Sequence, residues 1–435
     1  MKKVLPFLLL LVAVILGLAF PSEEVITIKD NVIDTGDTAW LLISTALVLL
    51  MTPGLAFFYG GMVRKKNVIS TMLQSFVCMG LITVLWVVFG FSLAFGDDIG
   101  GVIGNPATFF MMKGMVGNAT WSLMPTVPLV LFAMFQLKFA VITPALITGA
   151  FAERIRFNSY LIFLCLFMVF IYTPLAHATW HPDGFLFKKG VLDFAGGTVV
   201  HMSAGWAALA SALFLKGRTS QEHAPARISY VILGTGLLWF GWFGFNAGSA
   251  GGANTLAATA LATTTTASAA AAMAWVFFDM FRGKKPSALG ACIGAVVGLV
   301  AITPGAGFVS VPHSLVIGVV AAVVSNLVVI WRGRTHIDDT LDVFPCHGVG
   351  GMVGMLLTGV FASQAVNAAN TTGNGLYYGE THLFFLHVVT LIGVSIFAFV
   401  GSYVLLLITN AISPLRVSPE EEAVGLDASQ HDEEL

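Results

Sequence analysis

The sequence predicts an all-α polytopic membrane protein, with about eleven transmembrane helices in two inverted five-helix repeats plus a final helix, and a pore between the halves. Three observations predict it. Hydrophobic residues make up 57% of the 435 and charged ones 10%, at a mean hydropathy of +0.87, whereas a soluble domain carries about 25% charged residues. Apolar stretches of the roughly twenty residues that cross a bilayer recur along the chain. One polar pattern also occurs twice in apolar surroundings: Asp193 with His201 and Gly205, and Asp339 with His347 and Gly351, at identical spacing. Carboxylates and imidazoles are costly inside a bilayer and mark packed interiors or polar pathways. Their repetition suggests a duplicated fold with its route between the copies.

At the N-terminus Lys2 and Lys3 precede an apolar run from Val4 to about Leu18, small residues Gly17 and Ala19 follow, and acidic Glu23 and Glu24 come soon after. Residues 1–19 therefore read as a cleaved secretory signal rather than a first span, leaving 20–37 as an outer N-terminal segment. The transmembrane domain covers 38–412. Its apolar segments lie near 38–60, 70–95, 123–150, 158–178, 195–215, 228–248, 256–281, 287–303, 311–331, 345–362 and 383–412. The repeats occupy approximately 38–216 and 228–362, 383–412 is the final helix, and 413–435 is a cytoplasmic tail. Between Ala257 and Ala274 nearly every residue is Ala, Thr, Leu or Ser, which lets helices approach closely. Cys78, Cys165 and Cys292 sit in apolar stretches and Cys346 precedes His347, so no framework of outer disulfides is implied.

With the N-terminus outside, the inner joints receive Arg64, Lys65, Lys66, Arg154, Arg156, Lys216, Arg218, Arg227, Arg282, Lys284, Lys285, Arg332, Arg334 and Arg416, and the outer ones only Lys29, Lys113, Lys188 and Lys189. This positive-inside bias puts the tail in the cytoplasm. His201 then falls in the fifth span, running inward, and His347 in the tenth, running outward. The halves are inverted, and both histidines should meet near the midplane. The net charge of −2 and the lack of a polybasic face exclude nucleic-acid binding as the main role.

Four runs carry a resemblance. Thr52-Pro-Gly-Leu-Ala-Phe-Phe-Tyr-Gly-Gly61, Asp193-Phe-Ala-Gly-Gly-Thr-Val-Val-His201, Gly241-Trp-Phe-Gly-Phe-Asn-Ala-Gly-Ser249 and Asp342-Val-Phe-Pro-Cys-His-Gly348 closely resemble the ammonium transporter family, in order and over nearly the whole mature chain. The resemblance implies a homotrimer with one pore per subunit in the plasma membrane, no enzyme activity, and no cofactor or metal. Its implied substrates are ammonium, methylammonium and ammonia.

Residue by residue, the resemblance places Phe135, Trp180 and Ser249 at an outer recruitment site, where an aromatic face attracts a cation and a hydroxyl accepts an N–H bond. Phe139 and Phe245 fall at the positions of two stacked rings that block the entrance. His201 and His347 become twin imidazoles lining an apolar pore, with Trp242 in the wall. Asp193 has two competing roles, a helix cap or a negative charge beneath the recruitment site, and the cap is favoured. Asp339 is its cytoplasmic counterpart. Ammonium could lose a proton, cross as ammonia and be reprotonated, an escape unavailable to potassium, with net charge movement favoured by the resemblance. Lys138 departs from the family, which has a small or apolar residue there. On a helix it points about 100° from Phe139, as a snorkelling or interface lysine. The tail residues Arg416, Glu420, Glu421, Gly425, Leu426, Asp427 and His431 resemble a cytoplasmic tail that couples subunits. A PII-type signal protein is an implied partner, although His431-Asp-Glu-Glu-Leu435 departs from the family's usual Gly-Glu and Ala-Tyr ending.

Three alternatives stand beside this reading. A Rhesus-like neutral channel for ammonia or carbon dioxide would generally lack Trp180 and Ser249. An ammonium sensor would share the scaffold. A di-histidine metalloenzyme would need Asp193, Asp339 or Cys346 as further ligands, and HExxH and CxxC spacings are missing.

Overall fold

The computed structural model describes residues 5–21, 25–26, 32–220 and 225–435. Lys2, Lys3, Glu23, Glu24 and Lys29 lie outside the described residues. Helix Leu5–Ala19 precedes the bundle.

Eleven helical segments follow, so the chain is a multi-pass, all-α membrane protein. Ten are long and apolar enough to cross: Thr35–Met62, Lys65–Phe95, Leu129–Phe151, Phe157–Lys188, Gly197–Leu215, Ile228–Ala247, Thr255–Phe281, Val311–Arg332, Phe344–Phe361 and His382–Ile412. In chain order these are spans one to seven and nine to eleven. The eighth, Ala288–Ile302, has 15 residues and reaches about 22 Å, less than the roughly 30 Å of a hydrocarbon core. It can be short because Gly294 to Ile302 are all buried in protein and the irregular backbone at Thr303–Gly307 is buried with them, where non-helical chain is tolerated.

Five of the spans contain a π-wound segment: Trp86–Gly90, Met168–Tyr172, Gly197–Met202, Phe243–Ala247 and Phe344–Val349. The third and fifth of these sit in equivalent places in the two repeats and carry His201 and His347. The glycines of the repeated pattern explain the crossing of spans five and ten. A Cβ on Gly205 would lie 2.1 Å from Gly348 N, and one on Gly351 would lie 3.2 Å from His201 Cβ. At Gly205 only glycine lets the two half-helices touch, and at Gly351 a side chain would press on the fifth span.

The 33 residues between spans two and three are not a plain loop. Short strands pair Asp98–Ile99 with Ile103–Gly104 and Thr120–Trp121 with Met124–Pro128. Trp121 stacks on Phe132 of span three at 5.2 Å, which anchors this outer cover. The tail forms Pro419–Val424 and Leu426–His431 and docks on its own chain. Arg416 donates to Leu215 O at 2.8 Å, the Glu422 carboxylate accepts from Thr219 N at 2.6 Å, and Asp427 accepts from Ile69 N and Ser70 N at 3.1 and 2.7 Å. The four cysteines are free.

Candidate functional site

The aromatic residues singled out by the sequence form one column. Trp180 ends the helical stretch Thr173–Trp180 of the fourth span, and its indole donates to Asp193 O at 3.0 Å, fixing the ring edge-on to Phe139 at 5.9 Å and 81°. Phe135 meets Phe139 at 5.0 Å. Gly248 has no Cβ to strike the Phe135 ring, 3.0 Å from where it would be, so the turn carrying Ser249 packs beside that ring. The Ser249 hydroxyl donates to Phe245 O at 2.8 Å, which leaves its lone pairs free to accept a proton-bearing group.

Below them Phe139 and Phe245 lie 4.3 Å apart, tilted by 35°, and both are buried. Phe245 in turn lies 5.9 Å from the His201 ring. Trp242 stacks on His201 at 5.3 Å and 17° and is held by a bond from its indole to Thr303 Oγ1 at 2.9 Å. His201 and His347 approach through their Nδ1 atoms at 3.3 Å. One ring must donate and the other accept, because two protonated or two bare nitrogens would repel. His201 Nε2 is buried with no partner. The two rings border a cavity of about 10 Å³ whose exposed wall is carbon, bounded by His201, His347, Trp242 and Phe245 and by Leu55 and Leu238. One water-sized molecule fits there without a hydration shell.

The two aspartates stand at the ends of this column. Asp193 accepts from the backbone N–H groups of Gly196, Gly197 and Thr198 at 2.9, 2.6 and 2.8 Å, and from the Thr198 hydroxyl. That is a helix cap, and the backbone turns there with Gly196 at φ +120°. Asp339 accepts from Phe344 N at 2.7 Å, while its other oxygen is buried without a partner. Lys138 shares a stripe with Val130 and Met134 that is exposed or half-exposed, whereas Phe135 and Phe139 are buried.

A model of the Ammonium Transporter Family matches residues 39–435. The chain belongs to the ammonium transporter family. The Aquifex aeolicus ammonium transporter is 43% identical over 434 residues, 99% of each chain. Among solved structures, Saccharomyces cerevisiae Mep2 matches with a TM-score of 0.83 and 35% identity, covering 89% of this chain and 88% of that one. A sensor Amt protein matches with a TM-score of 0.82 and 27% identity over 91% and 98%. The named curated relatives are transporters, not enzymes.

This family member also carries a chain of buried ion pairs at the end of the bundle that holds Asp339. Arg64 and Arg218 meet Glu153 at 2.6 and 2.8 Å, and Arg218 meets Asp338 at 2.9 Å. Arg154 reaches Thr340 Oγ1 at 2.7 Å and Asp338 O at 2.5 Å. Burial alone would raise the Asp338 carboxyl, but Arg154 and Arg218 hold it down at about 2. Arg332 pairs with Asp342 at 2.6 Å. Arg218, Arg332, Asp338 and Asp342 line a polar pocket of about 250 Å³. Paired charges on neighbouring joints were the available signal. Among the described residues no group of three or more His, Cys, Asp or Glu is placed to hold a metal ion.

Proposed function

We propose that this chain is an ammonium transporter of the plasma membrane, with its N-terminus outside and its tail in the cytoplasm. Ammonium is recruited by Phe135, Trp180 and Ser249 through ring faces and one hydroxyl acceptor. The stacked Phe139 and Phe245 exclude hydrated ions until the rings swing aside. A proton is given up to water above them, ammonia passes His201 and His347 beside Trp242, and it is reprotonated at the cytoplasmic end, while the released proton is carried across separately, so that charge moves net. Asp193 and Asp339 support the half-helices that carry the histidines.

The observation that carries this reading is the Nδ1-to-Nδ1 contact of two buried imidazoles in a carbon-walled cavity beneath a closed phenylalanine pair. Such a tube offers a neutral hydrogen-bonding molecule one partner at a time and cannot replace the hydration shell of potassium. An ammonium-concentration jump on the purified protein in a solid-supported membrane tests it. Inward current is expected. Trp180→Leu with Ser249→Ala should raise the half-saturating concentration by about tenfold, since a cation–π contact and a hydrogen bond together supply about 1.4 kcal/mol. Flux without current would favour the neutral gas channel. Ammonium binding without flux would favour a sensor, the reading the likeness to a sensor Amt protein supports.

The same reading includes a homotrimer, a signal peptide over 1–19 and a PII-type partner at the cytoplasmic face. The oligomer is tested by native mass measurement, the signal by N-terminal sequencing of the mature protein, and the partner by co-purification with ADP present.

A further inference from the structure

Trp180 donates to Asp193 O, and the helix turn that carries it also carries a histidine-carboxylate cluster that the transport reading leaves unused. His177, one turn earlier on the same helix, is fully buried. Its Nδ1 lies 3.0 Å from Ala94 O and its Nε2 lies 2.9 Å from Asp98 Oδ1. Both partners are acceptor oxygens. Both ring nitrogens are therefore engaged, and the ring ties the end of this helix to the end of the second span and the residues that follow it. Asp98 Oδ1 also accepts from Gly101 N at 2.6 Å.

His181 follows Trp180 directly and stacks on His177 at 4.3 Å and 14°. Its Nδ1 accepts from Asp183 N at 3.0 Å, so this ring is neutral, with its proton on Nε2. The other groups facing it are Asp97 and Asp98 after the second span, Asp183 in the following turn, which pairs with Lys188 at 2.8 Å, and the edge of Trp121 at 5.3 Å. The backbone here closes through His181 N to His177 O at 3.0 Å and Gly184 N to His181 O at 2.8 Å.

We propose that Asp98, His177 and His181 form a positioning cluster that holds Trp180 over the outer mouth, and that it releases Trp180 when His181 takes up a proton. Protonation turns His181 Nδ1 from acceptor to donor against the Asp183 N–H and sets a cation on the face of the stacked His177 ring. The turn that follows the helix then opens, and the backbone that carries Trp180 is loosened. Outside acidity thereby weakens recruitment while ammonium itself stays fully protonated.

The inference rests on Trp180 being a recruitment residue. Its test is the half-saturating methylammonium concentration for uptake into proteoliposomes. Inside pH is fixed while outside pH runs from about 7.5 to about 4.5, through and below the range in which an ordinary imidazole titrates. The unmodified protein should show a rise of about two- to fivefold, the range an exposed cation–π contact supplies. His181→Asn, whose side-chain oxygen can still accept from Asp183 N, and His181→Phe, which keeps a stacked ring, should both stay flat. A flat profile in the unmodified protein, or variants that rise in parallel with it, would overturn the proposal. Trp180→Leu without effect at about pH 7.5 would instead overturn the recruitment reading, and this inference with it.

Discussion

Asp193 and Asp339 are the same position in the two halves of the molecule, yet the outer one accepts four hydrogen bonds spread over both oxygens and the inner one accepts from the backbone on one oxygen only. The outer carboxylate finishes its work locally, by closing the start of a half-helix. The inner one leaves an oxygen unpartnered in a region crowded with guanidinium groups. Duplication therefore preserved the position of each histidine but not how its helix end is held. The outer end depends on a self-contained cap, the inner end on long-range charge.

The largest consequence concerns stability. Asp193→Ala strands three buried backbone donors and should cost about 3 kcal/mol or more, whereas Asp339→Ala removes one bond and an unpaired oxygen and should cost about 1 kcal/mol. Thermal unfolding of the two purified variants in detergent checks this, and equal losses would erase the contrast between the ends.

Acid should act on the inner end next. Arg154 and Arg218 hold Asp338 down at about 2, below the roughly 3.9 of an unfolded chain. A carboxyl depressed in the fold contributes stability that is present above about pH 4 and is lost as pH falls toward about 2. Unfolding midpoints should drop across that window by an amount equivalent to about 1–2 kcal/mol, and Asp338→Asn should be lower at neutral pH and flatter in acid. A variant that still loses stability as the unmodified protein does would assign the effect elsewhere.

The smallest effect belongs to Lys138. Its half-exposed stripe faces away from the aromatic column, so Lys138→Met should leave the half-saturating ammonium concentration within about twofold of the unmodified value. A larger drop would mean that its ammonium group reaches the recruitment site and repels substrate.

Much of this was legible in the residue order. Span positions followed from apolar length, and the meeting of His201 with His347 from the identical spacing of two costly polar residues. Gly205 and Gly351 were visible as part of that pattern, but their reason, a backbone crossing with no room for a Cβ, was not. The π-wound segments were not legible because a slipped hydrogen-bond ladder depends on tertiary packing rather than local propensity. The strand-paired outer cover was missed for a related reason. Strands of two residues leave no alternation to read, and Trp121 gains its role only by stacking on Phe132. Arg154, Arg218 and Arg332 were read as topology markers, since sequence shows which side a cation lies on but not which carboxylate it meets.

The central claim is that two neutral imidazoles in a carbon-walled pore decide what crosses. The most direct measurement compares ammonium and potassium currents through purified protein carrying His201→Asp, which puts a fixed charge where His201 Nδ1 meets His347. A carboxylate there admits water and a hydrated cation, so potassium current should appear in the variant and be missing from the unmodified protein. Potassium exclusion that survives the substitution, with ammonium current intact, would contradict the account.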